Sequence, residues 1–246
     1  MSRHVVVTGG AKGIGRAVVA RFAALGDVVI ALGRDREALE RLASELSIES
    51  AVCDVTDERA VAATFDGIGE VDVLVNNAGV AETAPLARTT LAMWESQLAV
   101  NATGAFLCTR AVIQGMRARD HGAIITIASV AGRVGAPYTS AYTASKHAAL
   151  GLMRAAASEM AGSGVRVNAV CPAYVRSEMT DRAIERIVQL TGRSAPEAER
   201  TLAEMTPLGR LLEPEEVADA VVYLASDAAA AINGQALMMD GGAVQA

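Results

Sequence analysis

The feature that most limits the possible folds is the start of the chain, where a buried-strand pattern runs directly into a glycine-rich turn. Residues 4–8 (HVVVT) are centred on three consecutive valines, and residues 9–15 (GGAKGIG) follow without a spacer. An amphipathic helix is predicted at about residues 16–25. Backbone N–H groups and the positive end of a helix dipole would point at a ligand in such a turn, so it can hold a phosphate. The start of the chain therefore predicts the first βα unit of a nucleotide-binding sheet.

Three glycines of this turn have separate physical roles. Gly9 permits the tight turn, Gly13 lets backbone N–H groups approach a pyrophosphate, and Gly15 allows the helix to pack closely on the strand. The spacing is Gly-x-x-x-Gly-x-Gly, whereas the commoner fingerprint is Gly-x-Gly-x-x-Gly. The other residues of the turn that we expect at the cofactor are Ala11, Lys12 and Ile14.

Strand and helix patterns alternate along the rest of the chain. Strands are predicted near residues 4–8, 27–33, 50–54, 71–76, 122–128, 165–171 and 235–239. Further helices are predicted at residues 36–46, 57–66, 89–119 with a break near Gly104, 139–161 and 214–225. This alternation predicts one α/β domain over residues 1–246, a doubly wound parallel sheet of about seven strands with helices on both faces. The ligand crevice should lie beyond the carboxyl ends of the strands.

Composition excludes several classes of protein. The chain is 52% hydrophobic and 3% aromatic, which suits parallel strands covered by helices. Its formal net charge of −6 argues against nucleic acid or an anionic membrane as the main partner. No apolar run reaches the roughly 18 residues of a membrane span, and a strand within four residues of the start leaves no room for a signal peptide. We therefore expect a cytoplasmic protein.

The cysteines and histidines do not indicate a metal or disulfide framework. Cys53, Cys108 and Cys171 are an odd number of widely spaced thiols, which is typical of buried free cysteines in a reducing compartment. The chain has three histidines, none at the spacing of metal ligands, so no metal site is expected.

A second group of residues, in the middle of the chain, predicts acid–base chemistry. Tyr142 and Lys146 are four residues apart, so a helix places them on one face. A tyrosine hydroxyl, whose ordinary pKa is about 10, is a poor base at neutral pH. We expect the nearby ammonium to lower that pKa. Ser129 follows an apolar run and could hydrogen-bond the oxygen whose charge changes. The three residues are suited to interconverting an alcohol and a carbonyl.

Two neighbours compete for the role of base. Tyr138 has Tyr142, not a lysine, four residues beyond it. His147 follows Lys146 directly and therefore points to a different helix face, where an exposed or packing role is expected.

Taken together, the motifs resemble the short-chain dehydrogenase/reductase family along essentially the whole chain. In order, they are Thr8-Gly9-x-x-x-Gly13-Ile14-Gly15, Asp54-Val55, Asn76-Asn77-Ala78-Gly79, Asn101, Ser129, Tyr142-x-x-x-Lys146 and Pro172. The resemblance implies a Rossmann-type domain, a nicotinamide cofactor and a catalytic centre of Ser129, Tyr142 and Lys146 supported by Asn101. Lys146 would also hold the nicotinamide ribose. Asn101 would hold a water that links Lys146 to solvent, and it could also mark a helix break.

The resemblance also assigns the rest of the cofactor site. Asp54 would bind the adenine amino group beside Val55, although Asp54 could instead cap the next helix, a role for which Thr56 and Asp57 compete. The remaining expected cofactor contacts are Asn76, Ala78, Gly79, Pro172 and Val175, together with Tyr142 and Lys146. Asn76 could equally tie neighbouring strands together. Ala173 stands where the family usually has glycine, which questions the local backbone geometry.

The end of the second strand predicts which nicotinamide cofactor is preferred. Sites for NAD usually place an acidic residue there, but this chain has Gly33 followed by Arg34. Lys12 supplies a second cation on the same side, and the pair resembles the NADP-preferring branch of the family. We therefore expect NADP(H) ahead of NAD(H). The alternatives are that both cations are only solvated, or that Asp35 turns toward a ribose.

Substrate choice is less constrained by the sequence. Residues 176–212 carry apolar side chains at helix-like intervals, with breaks at Gly192, Pro196 and Pro207. This pattern predicts a helical lid that would exclude water from hydride transfer, or equally a segment packed on the body.

By resemblance, the substrate is most simply a 3-oxoacyl thioester, bound to coenzyme A or a carrier protein, which the enzyme would reduce. Carrier-dependent members usually have basic residues where this chain has Asp120 and Ser163, although Arg117, Arg119 and Arg166 are close in sequence. We therefore favour a coenzyme A thioester or a free ketone. The alternatives are an NAD-linked secondary-alcohol or hydroxybutyrate-type dehydrogenase, a reductase of cyclic or aryl ketones, and a non-enzymatic NADP(H) sensor.

The resemblance also implies a homo-oligomer, a tetramer or a dimer. Family members commonly pack the helices that correspond to residues 89–119 and 139–161, and the small side chains at residues 155–158 would permit close approach.

Overall fold

A computed structural model describes residues 2–245, and its seven strands lie within about two residues of the predicted ones at each end. The strands are β1 His4–Thr8, β2 Val28–Gly33, β3 Glu49–Val52, β4 Val73–Asn76, β5 Gly122–Ile127, β6 Val165–Pro172 and β7 Ala236–Met239. The helices are α1 Gly13–Ala24, α2 Arg36–Leu46, α3 Glu58–Ile68, α4 Leu91–Leu98, α5 Ala105–Ala118, α6 Ser140–Glu159, α7 Glu178–Thr191, α8 Ala195–Ala203 and α9 Pro214–Ala225.

The strands form one parallel sheet in the order β3-β2-β1-β4-β5-β6-β7. The chain builds outward from β1 in one direction and then returns to add β4 on its other side. The point where the order reverses, between β1 and β4, is where ligands of doubly wound sheets bind. The predicted fold class is confirmed.

Helices cover both faces of the sheet because side chains alternate along each buried strand. In β1, Val5 and Val7 join the core under α1, α2 and α9, whereas Val6 joins the core under α3, α5 and α6. Both layers are almost wholly aliphatic, which accounts for the low aromatic content.

The helix predicted over residues 89–119 is divided, as expected, near Gly104. Residues Ala99–Gly104 form a π-helical segment between α4 and α5. A Cβ on Gly104 would lie 2.6 Å from Cγ2 of Val55, so only glycine lets the helix approach the end of β3 this closely. Segments of this kind often occur at functional sites, and this one contains Asn101.

Residues 176–212 form helices α7 and α8 with a small core of their own, made by Ile184, Ala198, Leu202 and Leu211. Gly192 ends α7 in the left-handed conformation, with φ of 71°. Pro196 is not a break, since it lies in the first turn of α8, where proline is tolerated. No helix among residues 2–245 is long and apolar enough to cross a membrane.

Candidate active site

The glycine turn after β1 is packed so tightly that side chains cannot enter it. A Cβ on Gly15 would lie 2.2 Å from the carbonyl oxygen of Gly9, and Gly9 itself has φ of 63°. Gly13 has φ of 52°. These conformations leave backbone N–H groups at the start of α1 uncovered by side chains. The turn is therefore a cradle that fits the pyrophosphate of a dinucleotide.

The turn is held in place by two polar side chains from the switch point. The hydroxyl of Thr8 accepts hydrogen bonds from the backbone N–H groups of Asn77 and Ala78, each at 3.0 Å. The side-chain amide of Asn77 donates to the carbonyls of Thr8, at 2.9 Å, and Gly9, at 3.1 Å. Asn77 therefore positions the cradle, a role the sequence analysis missed. The sequence held one signal for this role, since Asn77 directly follows the β4 strand pattern and Thr8 ends the β1 pattern.

Asn76 has a different partner from the one expected. It is buried, and its side-chain amide donates to the hydroxyl of Thr109 on α5 at 2.9 Å. Its carbonyl oxygen is buried without a partner among the described residues. Asn76 thus ties strand β4 to a helix and not to a neighbouring strand, and the tie between β1 and β4 belongs to Asn77.

A cleft at the carboxyl ends of β2, β3 and β4 collects the residues expected around an adenosine. Its cavity volume is about 130 Å³. It is lined by Gly9, Gly33, Arg34, Cys53, Asp54, Val55, Ala78, Gly79, Val80 and Val100. Five of these were predicted cofactor contacts beyond the glycine turn, so the cleft fits the adenosine half of a nicotinamide dinucleotide.

Asp54 is not the cap of the following helix. Its carboxylate accepts hydrogen bonds from the backbone N–H and hydroxyl of Thr56, at 2.9 and 2.8 Å. The backbone hydrogen bond is the largest cause that lowers the pKa of Asp54, so the carboxylate stays charged at neutral pH. Asp57 caps α3 instead, and Asp54 remains beside the cleft.

Both cations predicted to select a 2′-phosphate are already paired with carboxylates. Lys12 Nζ lies 3.6 Å from Asp35 and 3.5 Å from Glu178, and Arg34 lies 3.8 Å from Asp54. Asp35 also caps α2 by accepting from the N–H of Ala38. The site is therefore less basic than the sequence predicts.

The three predicted catalytic residues converge at the carboxyl edge of β5. The Ser129 side chain lies close enough to the Tyr142 hydroxyl to lower its pKa. The Nζ of Lys146 lies 5.8 Å from the centre of the Tyr142 ring and donates to the carbonyl of Ile127 at 2.8 Å. Tyr142 is half-buried and Lys146 is buried. The arrangement places two hydroxyl groups and one buried cation side by side at this edge of the sheet.

The expected electrostatic effect of Lys146 on Tyr142 does not dominate among the protein's own groups. Burial raises the pKa of Tyr142 to about 12, more than the hydrogen bond from Ser129 lowers it. Burial also lowers the pKa of Lys146 to about 8. The expectation of a lowered tyrosine pKa is therefore wrong here, because desolvation opposes charge on both groups. Tyr142 is held as a neutral phenol, the form that donates a proton.

Asn101 is held beside this centre by three hydrogen bonds within the protein. Its amide donates to the carbonyl of Val80 and the hydroxyl of Ser145, each at 2.9 Å, and its oxygen accepts from the N–H of Val80 at 2.8 Å. A Cβ on Gly79 would lie 3.3 Å from the Asn101 oxygen and 3.6 Å from Lys146 Nζ. Gly79 therefore occupies the narrow space between Asn101 and Lys146.

The segment after β6 closes the other side of the site. Pro172 ends the strand, and Val175 is buried in a β-bridge with Leu212. The backbone of Ala173 does not have a positive φ, so alanine fits where the family usually has glycine. A Cβ on Gly13 would lie 3.5 Å from Cβ of Ser177, which places Ser177 against the cradle. Ser177 was not among the site residues predicted from the sequence.

The two competitors for the catalytic base are exposed to solvent. Tyr138 is 65% exposed, with φ of 69°, and its backbone carbonyl accepts from the N–H of Ala84. His147 is exposed, and its Nδ1 lies 2.9 Å from the carbonyl of Thr143 on its own helix.

Comparison with known proteins gives consistent matches over almost the whole chain. A family model described as enoyl-(acyl carrier protein) reductase matches residues 9–244. The galactitol 2-dehydrogenase (L-tagatose-forming) of Cereibacter sphaeroides is 43% identical, over 96% of this chain and 92% of that protein. The 3-oxoacyl-[acyl-carrier-protein] reductase of Thermotoga maritima is 35% identical, over 97% and 96%.

A solved structure agrees with the fold in detail. A single-residue variant of the actinorhodin polyketide ketoreductase, solved with NADPH, superimposes with a TM-score of 0.92, at 36% identity, over 98% of this chain and 97% of that one. These relatives are dehydrogenases and ketoreductases, which act on alcohols or ketones with a nicotinamide cofactor. Together with the cradle and the Ser129–Tyr142–Lys146 centre, they show that the chain belongs to the short-chain dehydrogenase/reductase family of NAD(P)-dependent oxidoreductases.

Proposed function

We propose that the protein is an NADP(H)-dependent ketoreductase that reduces a 3-oxoacyl thioester, preferably of coenzyme A, or a related free ketone. The observation that carries the reaction type is buried Lys146 5.8 Å from the Tyr142 ring, with Ser129 beside the Tyr142 hydroxyl. Two neutral hydroxyls that converge on one point are suited to a carbonyl oxygen, which gains negative charge during reduction.

The chain's own residues would act as follows. Ser129 and Tyr142 donate hydrogen bonds to the substrate carbonyl and polarise it. A nicotinamide cofactor held at the glycine turn would supply the hydride for the carbonyl carbon. Tyr142 donates its proton to the oxygen, and its raised pKa keeps that proton available at neutral pH. Lys146 lies behind Tyr142, where its charge stabilises the tyrosinate that remains after proton transfer. Asn101 keeps the helix backbone and Ser145 in place beside Lys146.

The preference for NADP(H) rests on Lys12 and Arg34 near the adenosine cleft and on the absence of an acidic side chain at Gly33. NADPH in the related polyketide ketoreductase agrees with this preference. The carboxylates around Lys12 make the preference a moderate one.

The substrate class is inferred from apolar side chains that remain exposed near the catalytic loop and on the predicted lid, residues 176–212. They are Val134, Tyr138, Leu190, Met205 and Leu208. Exposed apolar groups on these two segments suit contact with an acyl chain or ring better than with a polyol, whose hydroxyls need hydrogen-bonding partners. Tyr138 also holds a strained backbone conformation, of the kind that is common at ligand sites.

A carrier protein is less favoured than coenzyme A. Asp120, which stands where carrier-dependent relatives have a basic residue, accepts from the N–H of Gly164. Two of the three nearby guanidinium groups are used internally, since Arg119 donates to the carbonyl of Val71 and Arg166 to carbonyls around the end of α9. Arg117 is exposed, so this edge of the sheet offers one exposed cation beside Asp120 to an acidic carrier.

A second candidate is the oxidation of a secondary alcohol with NAD. Two observations favour it: the 43% identity to a galactitol dehydrogenase and the carboxylates that pair with Lys12 and Arg34.

A rate panel with the purified protein tests both candidates. We expect consumption of NADPH with acetoacetyl-coenzyme A or a cyclic ketone, and slower or no turnover of polyols with NAD. The same panel with Tyr142→Phe measures the rate that contaminating enzymes contribute, which is then subtracted. Faster oxidation of a polyol with NAD than reduction of any ketone with NADPH would contradict the proposal in favour of the second candidate.

A further inference from the structure

Lys12 connects the cofactor cradle to the predicted lid. It is the N-cap residue of α1 in the glycine turn, and its Nζ lies 3.5 Å from Glu178, the first residue of α7. It also lies 3.6 Å from Asp35 at the start of α2. One cation thus bridges three segments that meet at the carboxyl edge of the sheet.

The two carboxylates around Lys12 are not equivalent. Asp35 already has a structural role, because its other oxygen accepts from the N–H of Ala38 and caps α2. Glu178 has no second ion pair and no side-chain hydrogen bond among residues 2–245. All three side chains are about half-exposed, at 52% for Lys12, 51% for Asp35 and 62% for Glu178. Exposed pairs of this kind exchange partners at little cost in free energy.

The charges near the expected 2′-phosphate do not favour a dianion as strongly as the cations alone suggest. Lys12 and Arg34 supply two positive charges, whereas Asp35, Glu178 and Asp54 supply three negative ones. A phosphate that binds Lys12 must compete with Glu178 for the ammonium and is also repelled by the Glu178 carboxylate.

Other contacts hold the base of the predicted lid, next to Glu178. Arg176 pairs with Glu199 of α8 and with Glu213, and the β-bridge between Val175 and Leu212 closes the base of the segment. The Lys12–Glu178 pair is the charged contact between α7 and the glycine turn, next to the packing of Ser177 on Gly13. Loss of this pair would therefore loosen the first turn of α7 without detaching the segment.

We propose that Glu178 is a specificity-determining residue, which competes with a ribose 2′-phosphate for Lys12 and couples the occupancy of Lys12 to the first turn of α7. Glu178 thereby weakens discrimination in favour of the phosphorylated cofactor, and binding of the phosphate releases the N-terminus of the predicted lid. This inference rests on the proposed use of NADP(H). Coupling of this kind is reciprocal: a variant that frees α7 from Lys12 binds the phosphate more tightly.

The test measures binding to the full-length, cofactor-free protein by calorimetry, with 2′,5′-ADP and 5′-AMP as probes. In Glu178→Gln we expect the affinity for 2′,5′-ADP to rise by about threefold to fivefold and that for 5′-AMP to stay within about 1.5-fold, as an exposed ion pair would give. Glu185→Gln is the matched control, since Glu185 lies on the same helix, is exposed and has no ion pair among the described residues. It should change neither affinity. In a Lys12→Met background, most of the gain from Glu178→Gln should disappear.

Hydrogen exchange of the first turn of α7 provides the second readout. In the parent protein, 2′,5′-ADP should increase exchange at residues 178–182 relative to 5′-AMP, and Glu178→Gln should abolish that difference. An unchanged ratio of the two affinities in Glu178→Gln, or equal exchange with both probes in the parent, would overturn the inference. Equal affinity of the parent protein for 2′,5′-ADP and 5′-AMP would instead overturn the proposed preference for NADP(H).

Discussion

The glycine cradle and the predicted lid lie against each other, yet they are built in opposite ways. In the cradle, backbone atoms are packed so closely that a single added methyl on Gly15 would lie 2.2 Å from a carbonyl oxygen. Residues 176–212 rest on a small separate core and on exposed ion pairs such as those of Arg176. The proposed cofactor site is thus built into the edge of the sheet. Residues 176–212, which we expect to select the substrate, form a separate unit that packs on that edge.

This difference explains how one fold accommodates varied substrates. A change in the cradle affects both the stability of the sheet edge and the cofactor, so it is poorly tolerated. A change in residues 176–212 affects a local unit whose opening leaves the two main cores intact. The relatives differ in substrate, since one is named for galactitol and another for a 3-oxoacyl chain.

The largest expected effect comes from Gly15→Ala in the cradle. The added Cβ meets the backbone of Gly9 and the amide of Asn77, neither of which can move without breaking the Asn77 bonds. We expect a loss of about 2–4 kcal/mol in the free energy of unfolding, measured by denaturant titration. Cofactor affinity should fall by about 100-fold or more, since the cradle must widen.

Gly67→Ala is the control for that substitution. Gly67 lies inside α3 with nothing within 4 Å of an added Cβ, so this variant should gain up to about 1 kcal/mol from helix propensity. Normal cofactor affinity in Gly15→Ala would show that the cradle is not as rigid as described.

Truncating one leucine in each region tests whether residues 176–212 unfold separately from the sheet. Leu202 is buried in the core of the predicted lid, and Leu74 is buried in β4. We expect Leu74→Ala to lower global stability by about 3 kcal/mol. Leu202→Ala should mainly increase hydrogen exchange and proteolysis within residues 178–203. It should raise the KM for the substrate several-fold, with cofactor affinity unchanged within about twofold. An equal loss of global stability in both variants would show that the predicted lid is not a separate unit.

A spectroscopic titration distinguishes the two expectations for Tyr142. Because burial raises its pKa to about 12, the phenol should remain protonated as the pH rises, and deprotonation should begin only in strongly alkaline solution. The tyrosinate absorbance of the cofactor-free protein minus that of Tyr142→Phe should therefore be flat from about pH 6 to pH 10. A difference signal that develops near pH 8 would show that Lys146 lowers the pKa of Tyr142, as the sequence suggested.

The smallest effect is expected from Arg176→Gln, which removes the two exposed ion pairs to Glu199 and Glu213. Global stability should change by no more than about 1 kcal/mol. A readout of local opening, such as proteolysis within residues 178–203, should respond more clearly. A loss of stability as large as that of Gly15→Ala would contradict the description of this segment as loosely attached.

The fold could be predicted from the sequence because its signals are local. Buried parallel strands such as residues 4–8 are continuous apolar runs, and Gly104 marked the interruption of the long helix correctly. The sequence did not show that this interruption is a π-helical segment, because the need for glycine comes from Val55, a residue about fifty positions away in the chain.

The candidate site was predicted less completely, for reasons that depend on three-dimensional neighbours. Asn76 and Asn77 are adjacent in sequence, but the strand directs one to Thr109 and the other to the cradle. The positive charge of Lys12 was evident, whereas its contact with Glu178 depends on how residues 176–212 fold back. The pKa of Tyr142 reflects burial, which the spacing to Lys146 does not reveal.

We propose that Tyr142 donates the proton, whereas the glycine cradle and the cleft beside it supply most of the cofactor's binding energy. The most direct test compares Tyr142→Phe with the parent protein in two measurements, kcat/KM for reduction of a ketone and the Kd for NADPH. We expect a fall in kcat/KM of about 1,000-fold or more, because a positioned acid is lost, with the Kd unchanged within about twofold. Retention of more than about a tenth of the parent kcat/KM would contradict it.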